Sequence, residues 1–312
     1  MQKITEAYVE VGQKEDAIAI TSRMDSIESI NLARRIMSFL FEKGERVFLE
    51  KRIYNRLGRE DLGMELNQMT ENKIKFVISV GGDGSILRVF HGLPKKETPP
   101  VYGCAKTGTS IAFLSEGNEK TVYNDLEKIL NRKYLVEECS RLSTFLSTSP
   151  NSNIQLDEAI NEVLLISTRQ SKVMQISVKV NGEFLSNAYL DGLILSTPTG
   201  STAYAFSAGG AILAPSMEVI QLVPINPYAR SGLVPMIFPK DSEFEITLLR
   251  AHLNGTLIID GRRVITKVYP KNKIRVKMSE ETFKLIRLSS NIGKSYFYRL
   301  QKILPRIRLP SK

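Results

Sequence analysis

The sequence predicts an α/β domain built on a parallel sheet, followed by an all-β, sandwich-like domain. Three observations carry this. The chain has 312 residues, more than one core usually organises, so two domains are the expectation. Residues 1–134 alternate apolar, β-branched runs with segments of helical spacing, the order of a parallel sheet with crossover helices. From about Leu135 the period shortens to alternating segments bounded by turn residues, and these continue to 288, ahead of a terminal segment 289–312.

In the first domain, Asp16 to Ile20 is a short strand, and Ser26 to Phe41 has apolar residues at helical spacing that end near Gly44. Arg46 to Leu49 is a second strand. Phe76 to Val80 (FVISV) is continuous and β-branched, as in a strand buried on both faces of a parallel sheet. It runs into Gly81-Gly82-Asp83-Gly84-Ser85 and then a helix from Ile86 to about His91. Pro94 to Pro100 is a loop, Val101 to Gly103 starts a strand, and Tyr123 to Leu130 is helical. In the second domain the expected strands are Ser143–Ser147, Glu162–Ser167, Gln175–Val180, Glu183–Tyr189, Leu193–Ser196, Phe244–Leu249, Thr256–Ile259, Val264–Val268 and Lys273–Met278. Asn181-Gly182 and Asp260-Gly261 read as hairpin turns. Tyr296 to Ile303 reads as a helix stopped by Pro305.

Composition narrows the function. No apolar run approaches the roughly 18–20 residues that cross a bilayer, and the opening MQKITEAYVEVGQKED has no apolar segment of signal-peptide type, so a cytoplasmic protein without membrane partners is expected. Cys104 and Cys139 are the only cysteines, His91 and His252 the only histidines, and there is no Cys-x-x-Cys. Neither structural zinc nor a disulfide framework is expected, and both cysteines read as small buried residues. The formal net charge of +10 is concentrated in residues 262–312, which hold 15 Lys/Arg against 2 Asp/Glu. The aromatic-rich basic elements of an RNA-binding module are absent, and Lys271, Lys273, Arg275 and Lys277 alternate as on a solvated strand face. Nucleic acid is therefore not an expected partner, although the positive field suits polyphosphate substrates.

Two stretches carry chemistry. Gly81-Gly82-Asp83-Gly84-Ser85 follows a buried strand and precedes a helix, where glycines let backbone N–H groups close on a phosphate chain. Asp83 supplies a carboxylate beside those phosphates, able to accept a proton from a hydroxyl nucleophile or to hold Mg²⁺. The second stretch, Asp191 to Gly210 (DGLILSTPTGSTAYAFSAGG), packs an apolar strand, a Thr197-Pro198-Thr199-Gly200 turn and a small-residue helix start capped by Ser201 or Thr202. Tyr204 adds a ring on which a nucleobase can stack. Between the two, Asn161-Glu162 offers the mixed donors and acceptors that a ribose diol needs.

These motifs, in this order, resemble those of the NAD kinase family, and the similarity runs from about Phe76 to about Phe238: the GGDG loop, the Asn-Glu pair, and the long motif closed by Ala208-Gly209-Gly210. The resemblance implies the two-domain fold with a terminal helix that returns to the first domain. It implies phosphorylation of the adenosine 2′-hydroxyl of NAD with Mg²⁺ or another divalent metal, and with ATP or polyphosphate as donor. Asp83 is then the catalytic aspartate, with Gly81, Gly82, Gly84, Ser85 and Lys106 on the donor phosphates. Asp83, Gly84, Phe113, Asn161, Glu162, Thr199, Thr202, Ala203 and Tyr204 lie on NAD. Asp191 contacts its nicotinamide end across the subunit interface of a homodimer or homotetramer. Two rival readings are a non-catalytic NAD(P) sensor, which has no need of Asp83, and a sugar or lipid kinase sharing GGDG, which leaves the long motif unexplained.

The sequence departs from the family pattern in two places. Gly103 to Leu114 (GCAKTGTSIAFL) is about two residues longer than the family loop, with Ala105 and Ala112 replacing an amide and a glycine, while Gly108 and Phe113 are expected to keep their roles. Pro227-Tyr228 stands where many relatives have Pro-His, with Arg230 as a substitute cation. Asp260-Gly261 is explained as a turn and stays outside the expected site.

Overall fold

A computed structural model describes residues 17–106, 113–149, 151–169, 172–228, 232–250, 253–288 and 292–303, with the main chain alone for 262–265, 292–295 and 302–303. The described residues form two compact units. One runs from Cys139 to Thr282, and the other joins the residues up to Glu138 with those from Phe283 onward.

The second of these is the α/β unit. It runs β1 (Ala17–Ser22), α1 (Ile27–Glu42), β2 (Val47–Glu50), α2 (Lys51–Leu57), β3 (Gly63–Met64), β4 (Ile74–Val80), α3 (Asp83–Gly92), β5 (Val101–Ala105), β6 (Gly117–Asn118), α4 (Val122–Leu130) and β7 (Leu135–Cys139). β1 pairs in parallel with both β2 and β4, and β4 with β5. The central strands are buried along their length, which is why AIAITS and FVISV read as continuous apolar runs rather than alternations. Ser26 caps α1, its Oγ accepting the Ser29 N–H at 3.2 Å, and the apolar face Ile30, Ala33, Ile36, Met37 and Leu40 packs into the sheet core. The helix α2 was not expected, because only Ile53 of its seven residues is buried and no apolar stripe betrays it.

The all-β unit contains β8 (Leu142–Ser149), β9 (Ser152–Gln155), β10 (Glu162–Ser167), β11 (Met174–Val180), β12 (Glu183–Leu190), β13 (Gly192–Ser196), the one-turn α5 (Tyr204–Ser207), β14 (Val219–Ile225), β15 (Met236–Pro239), β16 (Phe244–Leu248), β17 (Gly255–Ile259), β18 (Arg262–Val268) and β19 (Lys273–Met278). Two antiparallel sheets result, ordered β15-β14-β13-β10-β17-β18 and β12-β11-β16-β19-β8-β9. Their inner faces supply one core that includes Leu165, Leu193, Leu222, Ile176, Phe244 and Ile274. Asn181 and Gly182, at φ 53° and 83°, form the two-residue turn joining β11 to β12.

The chain then re-enters the α/β unit as β20 (Phe283–Arg287) and α6 (Ile292–Ile303). The sheet order there is β3-β2-β1-β4-β5-β20-β7, with β6 beside β5. Residues 135–138 and 283–288, which the sequence grouped with the β-rich domain, thus complete the α/β sheet. β7 (LVEEC) and β20 (FKLIR) are five-residue strands with charged residues among the apolar ones, so their pattern does not reveal which sheet they join. The expected return of the terminal helix is observed, with Tyr296 and Arg299 of α6 both 4 % exposed in the α/β unit.

Both cysteines are free and buried, and burial pushes the Cys104 thiol up to about 12, which leaves it unreactive. Among the described residues no helix is long and apolar enough to cross a membrane.

Candidate active site

In the α/β unit the site begins where β4 ends. Gly81 has φ +146°, and a Cβ there would fall 2.2 Å from the Ser85 hydroxyl oxygen, so only glycine makes this turn. Gly82 is extended (φ −79°, ψ −173°) and caps α3. The helix therefore starts at Asp83 rather than at Ile86, and Asp83, Gly84 and Ser85 form its first turn. The Asp83 carboxylate is tied down by the backbone of residues 113–115. Its Oδ2 accepts the Phe113 N–H at 2.6 Å, and its Oδ1 accepts those of Leu114 and Ser115 at 3.0 and 3.3 Å. A carboxylate has about four lone-pair sites, so one remains on Oδ2 to accept a proton or a further hydrogen bond.

Gly82, Gly84 and Ser85 line a cavity of about 370 Å³ together with Arg23, Arg52 and Arg88. Arg88 projects from α3 and is held from behind by Glu50, which is 2 % exposed, with an Nη2 to Oε2 distance of 2.8 Å. Thr21 joins them with a 2.5 Å bond to Glu50. Arg23 forks onto Asp25 at 2.5 and 2.7 Å and stays exposed. Guanidinium groups around a glycine-rich helix start suit a phosphate chain. The sequence reading missed these three arginines, which lie far apart in the chain and form no run. Lys106, expected on the phosphates, instead pairs with Glu28 of α1 at 3.6 Å.

In the all-β unit the site gathers at the ends of neighbouring strands β13, β10 and β17. Thr197 donates its N–H to the Asn161 carbonyl at 3.0 Å and its hydroxyl to that of Ile160, while accepting the Gly200 N–H at 3.0 Å. A Cβ on Gly200 would lie 2.0 Å from the Asn161 oxygen, so the close approach of the two motifs requires glycine here. Asp260 completes the arrangement. Its carboxylate accepts the N–H groups of Ile160, Asn161 and Glu162 at 2.9, 2.8 and 3.1 Å. The Asp260-Gly261 turn is thus more than a hairpin corner, since it fixes the backbone of the Asn-Glu pair. An Asp-Gly pair at the end of a strand was the signal available in sequence, and Asp260 takes the positive φ of 49° that this residue type tolerates.

Glu162 is buried and its Oε2 has no hydrogen-bond partner. Burial, with the Asp260 carboxylate beside it, pushes the Glu162 carboxyl up to about 8. Thr199 is also buried, Thr202 and Ala203 are half-buried, and Tyr204 is 43 % exposed, so its ring is not part of a core. The expected helix after the turn is shorter than predicted. Gly200–Thr202 form a 3-10 turn, Ala203 breaks the path at φ −100° and ψ −128°, and Tyr204–Ser207 make a single turn. Ser201 does not cap a helix; its Oγ donates to the Pro198 carbonyl and accepts the Leu213 N–H.

Asp191 is not brought to this cluster. It precedes the start of β13 whereas Thr197 follows its end, about 17 Å along a five-residue strand. There its exposed carboxylate accepts a hydrogen bond from Asn226 at 3.0 Å. Tyr228 is exposed, and its N–H bonds the Tyr189 carbonyl at 2.7 Å. Gly108, Ala112, Arg230 and His252 lie outside the described residues. Among the described residues no three His, Cys, Asp or Glu side chains gather to hold a metal ion.

A parallel α/β unit with a glycine-rich, arginine-lined helix start, followed by a β-sandwich with a polar strand-end cluster, defines the class: a two-domain nucleotide kinase. The ATP-NAD kinase N-terminal domain family matches residues 18–134 and the ATP-NAD kinase C-terminal domain family matches residues 160–288. The chain belongs to the NAD kinase family. An NAD kinase from Thermococcus gammatolerans is 32% identical over 283 residues, covering 91% of this chain and 98% of that protein. The fold is shared with a yeast NADH kinase solved with NADH (TM-score 0.81, 22% identity, 95% and 90% of the two chains). It is shared also with an NAD kinase from Archaeoglobus fulgidus solved with ATP (TM-score 0.67, 24% identity, 92% and 99%).

Proposed function

We propose that this chain transfers the terminal phosphoryl group of ATP, or of another polyphosphate donor, to the adenosine 2′-hydroxyl of NAD, giving NADP. The observation that carries this reading is the Asp83 carboxylate, held by three backbone N–H groups at the start of a helix beside an arginine-lined cavity. In this reading the free lone pair of Asp83 accepts the hydroxyl proton as the 2′-oxygen bonds to phosphorus and the shortened donor leaves. Arg23, Arg52 and Arg88, with the Gly82 to Ser85 helix start, bind the donor phosphates and offset their charge. Asn161 and Glu162 hold the NAD ribose, Thr199, Thr202 and Ala203 lie along the adenine, and Tyr204 stacks on it. Protonated Glu162 donates to a ribose oxygen, which would satisfy its buried group.

No carboxylate cage is available for a divalent ion among the described residues. Mg²⁺ carried by the donor phosphates would supply charge neutralisation beside Asp83, whose one free lone pair is kept for the hydroxyl proton. The distance of Asp191 from the strand-end cluster supports a role on NAD bound by a partner subunit, in a homodimer or homotetramer. Incubation of the purified protein with NAD, Mg²⁺ and a panel of ATP, other nucleoside triphosphates and inorganic polyphosphate, read with an NADP-specific dehydrogenase, tests the proposal. NADP formation with at least one donor is expected, and none with any donor overturns it.

A further inference from the structure

The strip Phe113–Glu116, whose N–H groups hold Asp83, is itself fixed from its other side by the returning chain. Arg287, at the end of β20, donates from Nη1 to the Leu114 carbonyl at 2.7 Å and from Nε to Glu137 at 2.6 Å. Glu116 accepts the Leu288 N–H at 2.9 Å and lies 3.6 Å from the Arg299 guanidinium of α6. That guanidinium also faces Glu137 at 4.0 Å and covers the ring of Phe113, 5.5 Å from its centre. Tyr296 closes the other approach to the Phe113 ring, edge-on at 5.8 Å.

The side chains of Arg287, Arg299, Glu116 and Glu137 are 10 % exposed or less. Burial raises the Glu137 carboxyl, but Arg287 and Arg299 outweigh it and hold the group below the usual carboxylate range, so Glu137 stays ionised. A buried quartet of two cations and two anions is poor evidence for stability, since apolar residues of similar volume often serve as well. The hydrogen bonds of Arg287 to the Leu114 carbonyl and of Leu288 N–H to Glu116, with Arg299 paired to Glu116 at 3.6 Å, do something an apolar cluster cannot. They fix the height and orientation of the 113–116 backbone, and through it the carboxylate of Asp83.

We infer that Arg299, together with Arg287, is a positioning residue that sets the Asp83 carboxylate for proton acceptance through the Phe113–Glu116 strip. The inference rests on the reading of Asp83 as the proton acceptor. Arg299→Ala is expected to lower kcat about 10- to 100-fold, the range for a catalytic group displaced by a fraction of an ångström to an ångström. KM for the donor should stay within about 2-fold, because neither Arg299 nor the strip lines the arginine-bearing cavity. Should the alanine variant not fold, Arg299→Lys keeps the buried charge but loses the planar face over Phe113, and takes the same tests.

A double-mutant cycle with Asp83→Asn separates positioning from a general structural role. Asp83→Asn alone is expected to lower turnover about 10²–10⁴-fold, the usual contribution of a general base. In that background Arg299→Ala should change kcat by less than about 3-fold, since there is no base left to position. Equal losses in both backgrounds, or a folded Arg299 variant with wild-type kcat, overturn the inference. If Asp83→Asn keeps more than about a tenth of wild-type turnover, the base assignment itself fails. The two failures are therefore distinguishable.

Discussion

Glu162 enters folding with an ordinary carboxyl and leaves it with one that ionises only at higher pH. Its ordinary value is 4.5, and burial beside Asp260 carries it to about 8. Between those values the folded chain holds a proton that the unfolded chain has released, so stability is full below the lower value and falls as pH rises toward and through the upper one. Glu162→Gln keeps the shape and cannot ionise. The melting temperature of the parent should therefore fall relative to that of the variant between about pH 5 and about pH 9, with the smallest difference at the acid end. Parallel profiles would refute the assignment. Tyr204 makes a different prediction because its ring is 43 % exposed and not part of a core. Tyr204→Ala should raise the NAD dissociation constant about 5- to 150-fold, the loss of one base-stacking contact, and leave melting nearly unchanged. Calorimetry and melting on one preparation decide it, and a lowered melting point with unchanged NAD affinity would count against the stacking role.

At the scale of elements, the turn between β17 and β18 governs the start of β10. Asp260→Ala would leave the Ile160, Asn161 and Glu162 N–H groups without their acceptor and is expected to destabilise the protein by on the order of 3 kcal/mol in urea unfolding. Asp260→Asn, which keeps one acceptor oxygen and tolerates the positive φ, should recover part of that loss. An alanine variant as stable as the parent would show the three bonds to be dispensable. This turn also shows how far the sequence could be read. Asp260-Gly261 announces a turn through its residue types, but its three acceptor bonds reach a hundred residues back along the chain and leave no local trace. Glu162–Ser167 and Lys273–Met278 were legible to the residue because their patterns, a continuous apolar run and an apolar alternation, are local. The start of α3 was misplaced because two glycines looked like loop, while Gly82 serves as its cap. Arg23, Arg52 and Arg88 were invisible as a group, since only the folding of β1, α2 and α3 against one another brings them around one cavity.

For the whole molecule, the position of Asp191 makes assembly testable. If its carboxylate serves NAD bound by a partner, mixing inactive Asp83→Asn subunits with inactive Asp191→Ala subunits should restore some turnover, because in a two-fold pair both lesions can fall in one site and leave the other whole. Differently tagged chains verify exchange, and no rescue despite exchange would assign Asp191 to its own chain's site. A last consequence concerns synthesis. In the described sheet β20 lies between β5 and β7, yet the entire sandwich, Cys139–Thr282, separates β7 from β20 along the chain. A ribosome making this protein releases a complete, contiguous sandwich while the older half still waits for its missing strand. Until Phe283–Arg287 emerges, β7 has no neighbour in the sheet and β5 presents unpaired backbone where β20 belongs. The nascent protein is thus most open to edge-to-edge association, and most in need of a chaperone, during translation of the sandwich, when the first-made unit is oldest and still unfinished.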